Sequence, residues 1–135
     1  MGFEKSLMIA AAGMKAQGDR LRVIAENLAN RDSTADVAGG DPYARRVVTF
    51  KNVLDREINA HMVEVDRVRK DKSDFPLVYD PTHPGANEEG YVKTPNVNGL
   101  VEMMDMREAQ RSYEANLNMI EVSKSMLTRT LELLR

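Results

Sequence analysis

The chain has 135 residues and a formal net charge of −2, which predicts one small domain and argues against nucleic-acid binding through bulk positive charge. It contains no Cys, so disulfides, Cys-ligated zinc and a Cys nucleophile are excluded together. Aromatic residues make up only 5% of the chain, which argues against a large globular core, and no apolar run has the length of a membrane span.

The N-terminal segment, from about residue 3 to residue 30, has the periodicity of a long amphipathic helix. Apolar and small residues alternate at spacings of four and three, the a/d repeat of a coiled coil. The repeat consists of Leu7, Ala11, Met14, Gly18, Leu21, Ala25 and Leu28. Gly13 and Gly18 each cost about 1 kcal/mol relative to Ala inside a helix. We therefore expect a second helix to approach closely at this face.

The middle segment contains all five Pro of the chain and is predicted to form a small β-rich unit. Its β-branched and aromatic residues predict strands at 43–50, 62–68, 77–79 and 90–92. Residues 53–60 fit either a helical turn or a continued strand. The last two strands would flank the loop 80–89, giving a thin core.

The C-terminal segment has the longest regular pattern. No Pro or Gly lies between Leu100 and Arg135, and Asn98 has the side chain of a helix N-cap. A helix over this stretch would be ~50 Å long. Its a/d seam, with polar interruptions at Gln110 and Lys124, consists of Met103, Met106, Tyr113, Leu117, Ile120, Leu127, Leu131 and Leu134.

The shared repeat predicts that the two terminal helices pair as a coiled-coil-like hairpin, with Leu7, Met14, Leu21 and Leu28 facing the C-terminal seam. The alternative is two unrelated amphipathic helices that pack separately on the middle segment. A second apolar stripe on the C-terminal helix points away from the seam, so we expect other subunits to cover it. Its members are Ala115, Met119, Val122, Met126 and Leu133.

The predicted fold is mainly α with a small β-rich middle, an α+β class. Residues 1–34 and 96–135 would supply the two helices of one helical domain, and residues 35–95 the β-rich segment. The unpartnered stripe predicts that the chain assembles with other molecules.

No pattern of residues predicts catalysis, a metal site or a cofactor. The glycine spacing from Gly13 to Gly18 matches a phosphate loop, but Asp19 and Arg20 follow instead of Lys and Ser or Thr. His61 has no evident partner, and His83 lies in a Pro-rich turn. We therefore expect neither enzymatic activity nor a cofactor.

Two groups of motifs resemble those of a known family. The N-terminal group is Ala12-Gly13-Met14-Lys15-Ala16-Gln17, Arg20-Leu21 and Asn27-Leu28-Ala29-Asn30. The second group is Tyr79-Asp80-Pro81-Thr82-His83-Pro84, Gly90-Tyr91-Val92-Lys93, Pro95-Asn96-Val97-Asn98, Ser112-Tyr113 and Ala115-Asn116. Together they resemble the signature of bacterial flagellar rod and hook proteins, and within that family the short proximal rod members.

The resemblance implies a structural subunit of the flagellar basal body. Its terminal helices would join copies of the chain into a helical, tubular assembly, the rod that transmits torque across the periplasm. It implies export by the flagellar type III apparatus without a cleaved signal peptide. The implied partners are other copies of the chain, the proximal rod proteins FlgB and FlgF, the distal rod protein FlgG, the rod–ring adapter FliE and the MS ring. It implies no nucleic-acid partner and no direct membrane insertion.

The resemblance also includes four polar residues, Asn27, Asn30, Asn98 and Asn116. Asn27, Asn30 and Asn116 either hydrogen-bond across the helices or are exposed polar or helix-end residues, whereas Asn98 is the predicted N-cap. The competing interpretation of the whole chain is a cytoplasmic helical export chaperone or adapter. A β-rich middle with a Pro-rich loop disfavours a pure coiled-coil chaperone.

Overall fold

The computed structural model describes residues 2–135, which form two long helices with four strands between them. In chain order the elements are α1 (Gly2–Ala29), β1 (Arg46–Asp55), β2 (Ala60–Lys70), β3 (Leu77–Tyr79), β4 (Tyr91–Lys93) and α2 (Gly99–Leu133). This order confirms the prediction of an α+β fold with long terminal helices around a small β-rich middle.

The strands form two separate two-stranded sheets, β1 with β2 and β3 with β4. Only residues 56–59 separate β1 from β2. Such a connection permits only antiparallel pairing, because a parallel crossover needs about a dozen residues or more. The segment 53–60, for which the sequence left two possibilities, continues β1 as far as Asp55 and then turns, with Asn59 at a positive φ of 51°.

The second sheet is a short antiparallel hairpin in which Leu77 lies opposite Lys93 and Tyr79 opposite Tyr91. Beyond the last strand pair, the Asp80 N–H donates to the Gly90 carbonyl at 3.0 Å. Gly90 has φ of +88°, and a Cβ there would lie 2.9 Å from the Tyr79 ring. This position therefore needs glycine for both its backbone conformation and its space.

Tertiary contacts divide the chain into two compact units. The first contains the chain up to Leu21, Thr49–Arg67 and Arg107 onwards, and the second contains Arg22–Val48 and Val68–Met106. Among residues 2–135, the buried apolar side chains of the first unit are the alanines Ala10, Ala16 and Ala109. Those of the second unit are Val23, Ile24 and Val92.

Within the first unit, α1 and α2 pack against each other with their chains running in opposite directions. A Cβ at Gly13 would lie 2.7 Å from Asn116 Nδ2, and one at Gly18 would lie 3.9 Å from the Tyr113 ring. Arg20 forms an ion pair with Glu108 at 3.8 Å. Residue numbers rise along α1 as they fall along α2, so the pairing is the predicted helical hairpin.

The start of α2 in the second unit is capped by Asn98, as predicted. Asn98 Oδ1 accepts hydrogen bonds from the N–H groups of Leu100 (3.0 Å) and Val101 (3.4 Å). These are donors that an uncapped helix would leave without a partner. The Asn98 carbonyl accepts the first helical bond, from the Glu102 N–H at 3.0 Å.

Candidate assembly surface

The predicted seam residues differ in burial between the two helices. On α1, Leu7, Met14, Leu21 and Leu28 are all partly buried. On α2, Met106, Tyr113 and Ile120 are partly buried, whereas Met103, Leu117, Leu127, Leu131 and Leu134 are exposed. Pairing by the whole predicted set therefore stays a prediction.

The buried positions of α2 recur with the predicted spacing. Every second one, however, lies one residue before the residue that the predicted seam contains. Among the buried positions are Glu102, Ala109 and Ser123, and Asn116 is partly buried. They alternate with Met106, Tyr113 and Ile120, which also belong to the predicted seam. Small and polar side chains fit these positions because α1 lies close to α2, as the contact between Gly13 and Asn116 shows. The polar residues Gln110 and Lys124 interrupt the predicted seam at two of these positions. Both are exposed, and the residue before each, Ala109 or Ser123, is buried instead.

The second stripe of α2 is exposed over its whole length. Its members Ala115, Met119, Val122, Met126 and Leu133 are all exposed, and Leu133 reaches 85%. A row of exposed apolar side chains on one helix is typical of a surface that a partner covers. The assignment of this stripe to a neighbouring subunit stays a prediction.

Asn27 is the predicted polar residue with the most complete hydrogen bonding. Its side chain, only 1% exposed, donates to the Arg46 carbonyl (2.9 Å) and to Glu102 Oε2 (3.4 Å). Its Oδ1 accepts from the Tyr43 hydroxyl (2.7 Å) and from the Arg46 N–H (2.9 Å). The amide thus uses both donors and two acceptor positions, and it hydrogen-bonds across the helices through Glu102.

The other three signature asparagines have local partners. Asn30 Nδ2 donates to the Glu26 carbonyl at 2.8 Å, one turn earlier in the chain. Asn116 Nδ2 donates to the Ser112 carbonyl at 3.0 Å, although its side chain also lies against Gly13. With Asn98 as the N-cap, these residues support or end their own helices.

A partly buried ion-pair cluster in the second unit surrounds Arg45. Its guanidinium hydrogen-bonds Glu102, which is 1% exposed, and also pairs with Asp71 (3.2 Å) and Asp105 (3.4 Å). The Arg45 N–H donates to Asn96 Oδ1 at 2.7 Å, and Asn96 Nδ2 in turn donates to the Asp71 carbonyl at 3.2 Å. The cluster ties the segment before β1 and the end of β2 to the first turn of α2.

Sequence reasoning missed this cluster. It assigned no contact to Arg45, Asp71 or Glu102. The three residues are far apart in the chain and follow no common period, so only the fold brings them together. The sequence contains no signal for Glu102, because this residue lies next to the predicted seam and not on it.

Three pKa shifts reflect the environment of this cluster. Burial lowers the pKa of Arg45, but hydrogen bonds and charges from Glu102 and Asp71 outweigh it, so the pKa is raised above its ordinary value. The Ser73 N–H, which donates to Asp71 at 2.8 Å, lowers the pKa of that carboxyl, and Arg45 adds to the effect. Burial raises the pKa of Tyr43.

His61 is exposed, and both ring nitrogens of His83 have a hydrogen-bond partner. His83 Nδ1 accepts from the Gly85 N–H (2.9 Å), and Nε2 lies 3.0 Å from Thr34 Oγ1, so the ring fastens a turn. No group of three or more potential ligands that could hold a metal occurs within residues 2–135. In the same part of the chain, neither helix is long and apolar enough to cross a membrane.

The fold and its surface define a class of protein: an antiparallel hairpin of terminal helices with a small β insertion and exposed apolar helix faces. Residues 88–133 match the family described as flagellar basal body rod FlgEFG protein C-terminal.

Similar proteins cover almost the whole chain. The flagellar basal-body rod protein FlgC of Agrobacterium fabrum is 46% identical, over 94% of this chain and 91% of the relative. That of Bacillus subtilis is 41% identical over 95% of each chain, and that of Salmonella typhimurium is 39% identical. The chain therefore belongs to the FlgC family of flagellar basal-body rod proteins.

Proposed function

We propose that the chain is a structural subunit of the proximal part of the flagellar rod, where it helps to transmit torque across the periplasm. The observation that carries the proposal is the exposed stripe of α2, from Ala115 to Leu133, on a chain whose relatives are named rod proteins. A shaft must resist twisting, and contacts distributed along long helices spread that load over many side chains.

The proposal includes the way in which the subunit reaches its place. The chain would pass through the flagellar type III apparatus in an unfolded form, without a cleaved signal peptide. A first unit whose buried apolar residues are alanines would favour this route, because alanines contribute little to the free energy of unfolding. In the rod the partners would be other copies of the chain, FlgB, FlgF, FlgG and FliE, with the MS ring at the base.

A substitution on the stripe tests the proposal. Met126→Glu puts a charge on an apolar contact, whereas Ser125→Glu adds the same charge at the adjacent exposed position. In a strain that carries only the variant chain, Met126→Glu should abolish swimming and remove the chain from purified basal bodies. Ser125→Glu should leave both close to normal.

Two outcomes would contradict the proposal. Normal swimming with Met126→Glu at normal protein level would show that the stripe is not an assembly contact. Absence of the unaltered chain from basal bodies, together with a soluble cytoplasmic complex, would favour the export chaperone or adapter instead.

A further inference from the structure

Asn98 and Gly99, at the start of α2, form a pair of residues that can react with each other. Asn98 is the only asparagine of the chain that a glycine follows. When such a segment is flexible, the backbone nitrogen of the glycine can approach the amide carbon of the asparagine side chain, because glycine has no Cβ to obstruct it. Asn98 is also exposed, so water can reach the pair.

The helix cap holds the reacting atoms of this pair apart. Asn98 Oδ1 accepts hydrogen bonds from the N–H groups of Leu100 (3.0 Å) and Val101 (3.4 Å), which directs the side-chain amide towards the second and third residues of α2. The Asn98 carbonyl accepts from the Glu102 N–H at 3.0 Å. An N-cap residue has an extended backbone, and ring closure needs rotation about its Cα–C bond, which would move this carbonyl away from Glu102. The capped start of α2 is therefore an unreactive conformation.

Glu102 anchors the same helical turn inside the second unit. Its side chain is 1% exposed and hydrogen-bonds Arg45 and Asn27, the latter at 3.4 Å. Opening the cap therefore disturbs buried contacts, and this makes such openings rare in the folded chain.

We propose that Asn98 is a site of deamidation, the loss of a side-chain amide as ammonia, and that folding of the second unit protects it. When the start of α2 is open, the Gly99 nitrogen loses its proton and bonds to Cγ of Asn98, and the side-chain nitrogen leaves as ammonia. Water then adds to one of the two carbonyl groups of the five-membered ring. Opening at one carbonyl gives aspartate, and opening at the other gives isoaspartate, in which the main chain runs through the former side chain. No oxidant or reductant takes part.

The two products have different effects on α2. Aspartate is as good an N-cap as asparagine, and its charge suits the positive end of the helix dipole. Isoaspartate adds a carbon atom to the main chain before Gly99, so its carboxylate no longer lies where the Leu100 and Val101 N–H groups can reach it. Chains that stay unfolded therefore accumulate a defect at the start of α2, whereas folded chains are spared.

Peptide mass spectrometry on the purified full-length chain measures how fast the Asn98 amide is lost. One sample is kept in native buffer and one in concentrated guanidinium chloride, both at the same mildly alkaline pH. In denaturant, Asn98 should lose its amide faster than Asn59, an exposed asparagine that Ala60 follows. In native buffer the rate at Asn98 should be about tenfold lower or less, because only open molecules react.

Gly99→Ala is the matched variant. A Cβ at this position would lie 3.5 Å from Arg31 Nη1, an ordinary contact, so the fold accepts the change. The added methyl group obstructs ring closure, and the rate at Asn98 in denaturant should therefore fall to about the rate at Asn59. An unchanged rate would overturn the attack by the Gly99 nitrogen.

Refolding separates the effects of the two products. Chains that carry isoaspartate, recognised by an isoaspartate methyltransferase, should refold with a Tm about 4 °C below that of the unaltered chain. Asn98→Asp should melt close to the unaltered chain. Equal Tm values for the isoaspartate chains and Asn98→Asp would overturn the loss of the cap.

Two further outcomes would overturn the proposal. Equal rates of amide loss at Asn98 in native buffer and in denaturant would show that the cap does not protect it. A rate at Asn98 in denaturant no higher than that at Asn59 would show that the pair is not reactive. Neither result bears on the proposed rod function, which the Met126→Glu experiment tests.

Discussion

Gly13 is the point of closest approach between the two helices in the first unit. An added Cβ would lie 2.7 Å from Asn116 Nδ2, a distance that real Cβ atoms essentially never show, and 3.0 Å from its Cγ, which is tighter than most real contacts. The Asn116 amide cannot move freely, because its Nδ2 donates to the Ser112 carbonyl at 3.0 Å. Glycine at this position lowers helix propensity, but it leaves the space that the close contact with α2 requires.

Gly13→Ala and Gly18→Ala form a matched pair on the same helix. Both substitutions raise helix propensity by about 1 kcal/mol, but only the first one meets a neighbour that has to shift. We expect Gly18→Ala, whose Cβ would lie 3.9 Å from the Tyr113 ring, to be neutral or stabilising. Gly13→Ala should lower the free energy of unfolding by about 1–3 kcal/mol, measured by urea denaturation. Equal effects of the two changes would contradict the contact.

Asp71 makes the second unit sensitive to acid. Its folded-state pKa is lowered, so its contribution to stability is fully present above the ordinary carboxyl pKa of ~3.9 and is lost as pH falls through the folded value. Asp71→Asn should cost about 0.5–1.5 kcal/mol at neutral pH, and the difference from the unaltered chain should shrink below about pH 4.

Urea unfolding at several pH values between 3 and 7 measures this difference. Asp74→Asn is the control, because Asp74 is an exposed carboxylate three residues away. A gap between Asp71→Asn and the unaltered chain that stays constant down to pH 3 would show that the carboxylate is not stabilised by its partners.

At the scale of elements, α2 shows that the period of a helix is easier to predict than its exact face. The sequence favours the large side chains Met103 and Leu117, but burial falls on Glu102 and Asn116 instead. A close helix contact selects small residues at the crossing, so hydrophobicity alone points one residue too far. The exposed large side chains remain available to partners.

A second matched pair tests this one-residue offset. Ala109 is fully buried, whereas Gln110, a position on the predicted seam, is exposed. Ala109→Leu should destabilise by about 1–3 kcal/mol through overpacking. Gln110→Leu should change the free energy of unfolding by less than about 0.5 kcal/mol, as surface changes usually do. Thermal denaturation of both variants measures the two effects. A larger destabilisation by Gln110→Leu than by Ala109→Leu would show that the predicted seam is the buried face.

The parts of the fold that depend on local chemistry could be predicted from the sequence. The N-cap at Asn98, the length of both helices and the short strands around Tyr79 and Tyr91 follow from side chains close in the chain. The Arg45–Glu102 ion pair could not be predicted, because its partners are 57 residues apart and neither lies on a predicted seam. Asn27 could be chosen from the sequence as a candidate for hydrogen bonding, but its partners could not be predicted, because they too are distant in the chain.

At the scale of the whole molecule, the two units differ in what holds them together. The second has Val23, Ile24 and Val92 in its core, and the Asn27 and Arg45 hydrogen-bond clusters beside them. The buried apolar residues of the first unit are alanines. Burial of a Val or Ile contributes about 1.5–3 kcal/mol, and burial of an Ala much less.

We therefore expect the isolated subunit to open from its terminal segments. Amide exchange on a verified monomer should show low protection in residues 2–21 and 107–135, and higher protection in residues 22–29 and 99–106, which belong to the same two helices. Strong protection throughout 117–134 in the monomer would contradict this expectation.

The exposed methionines give the molecule a chemical sensitivity that changes with its surroundings. Met103, Met104, Met119 and Met126 are all at least half exposed in the single chain. An oxidant converts each of them to a polar sulfoxide, which suits an apolar contact poorly. A subunit oxidised before it meets its neighbours would join them weakly, whereas one already covered would be shielded. The sulfoxide content of each methionine would then record whether its side chain was covered when the oxidant arrived.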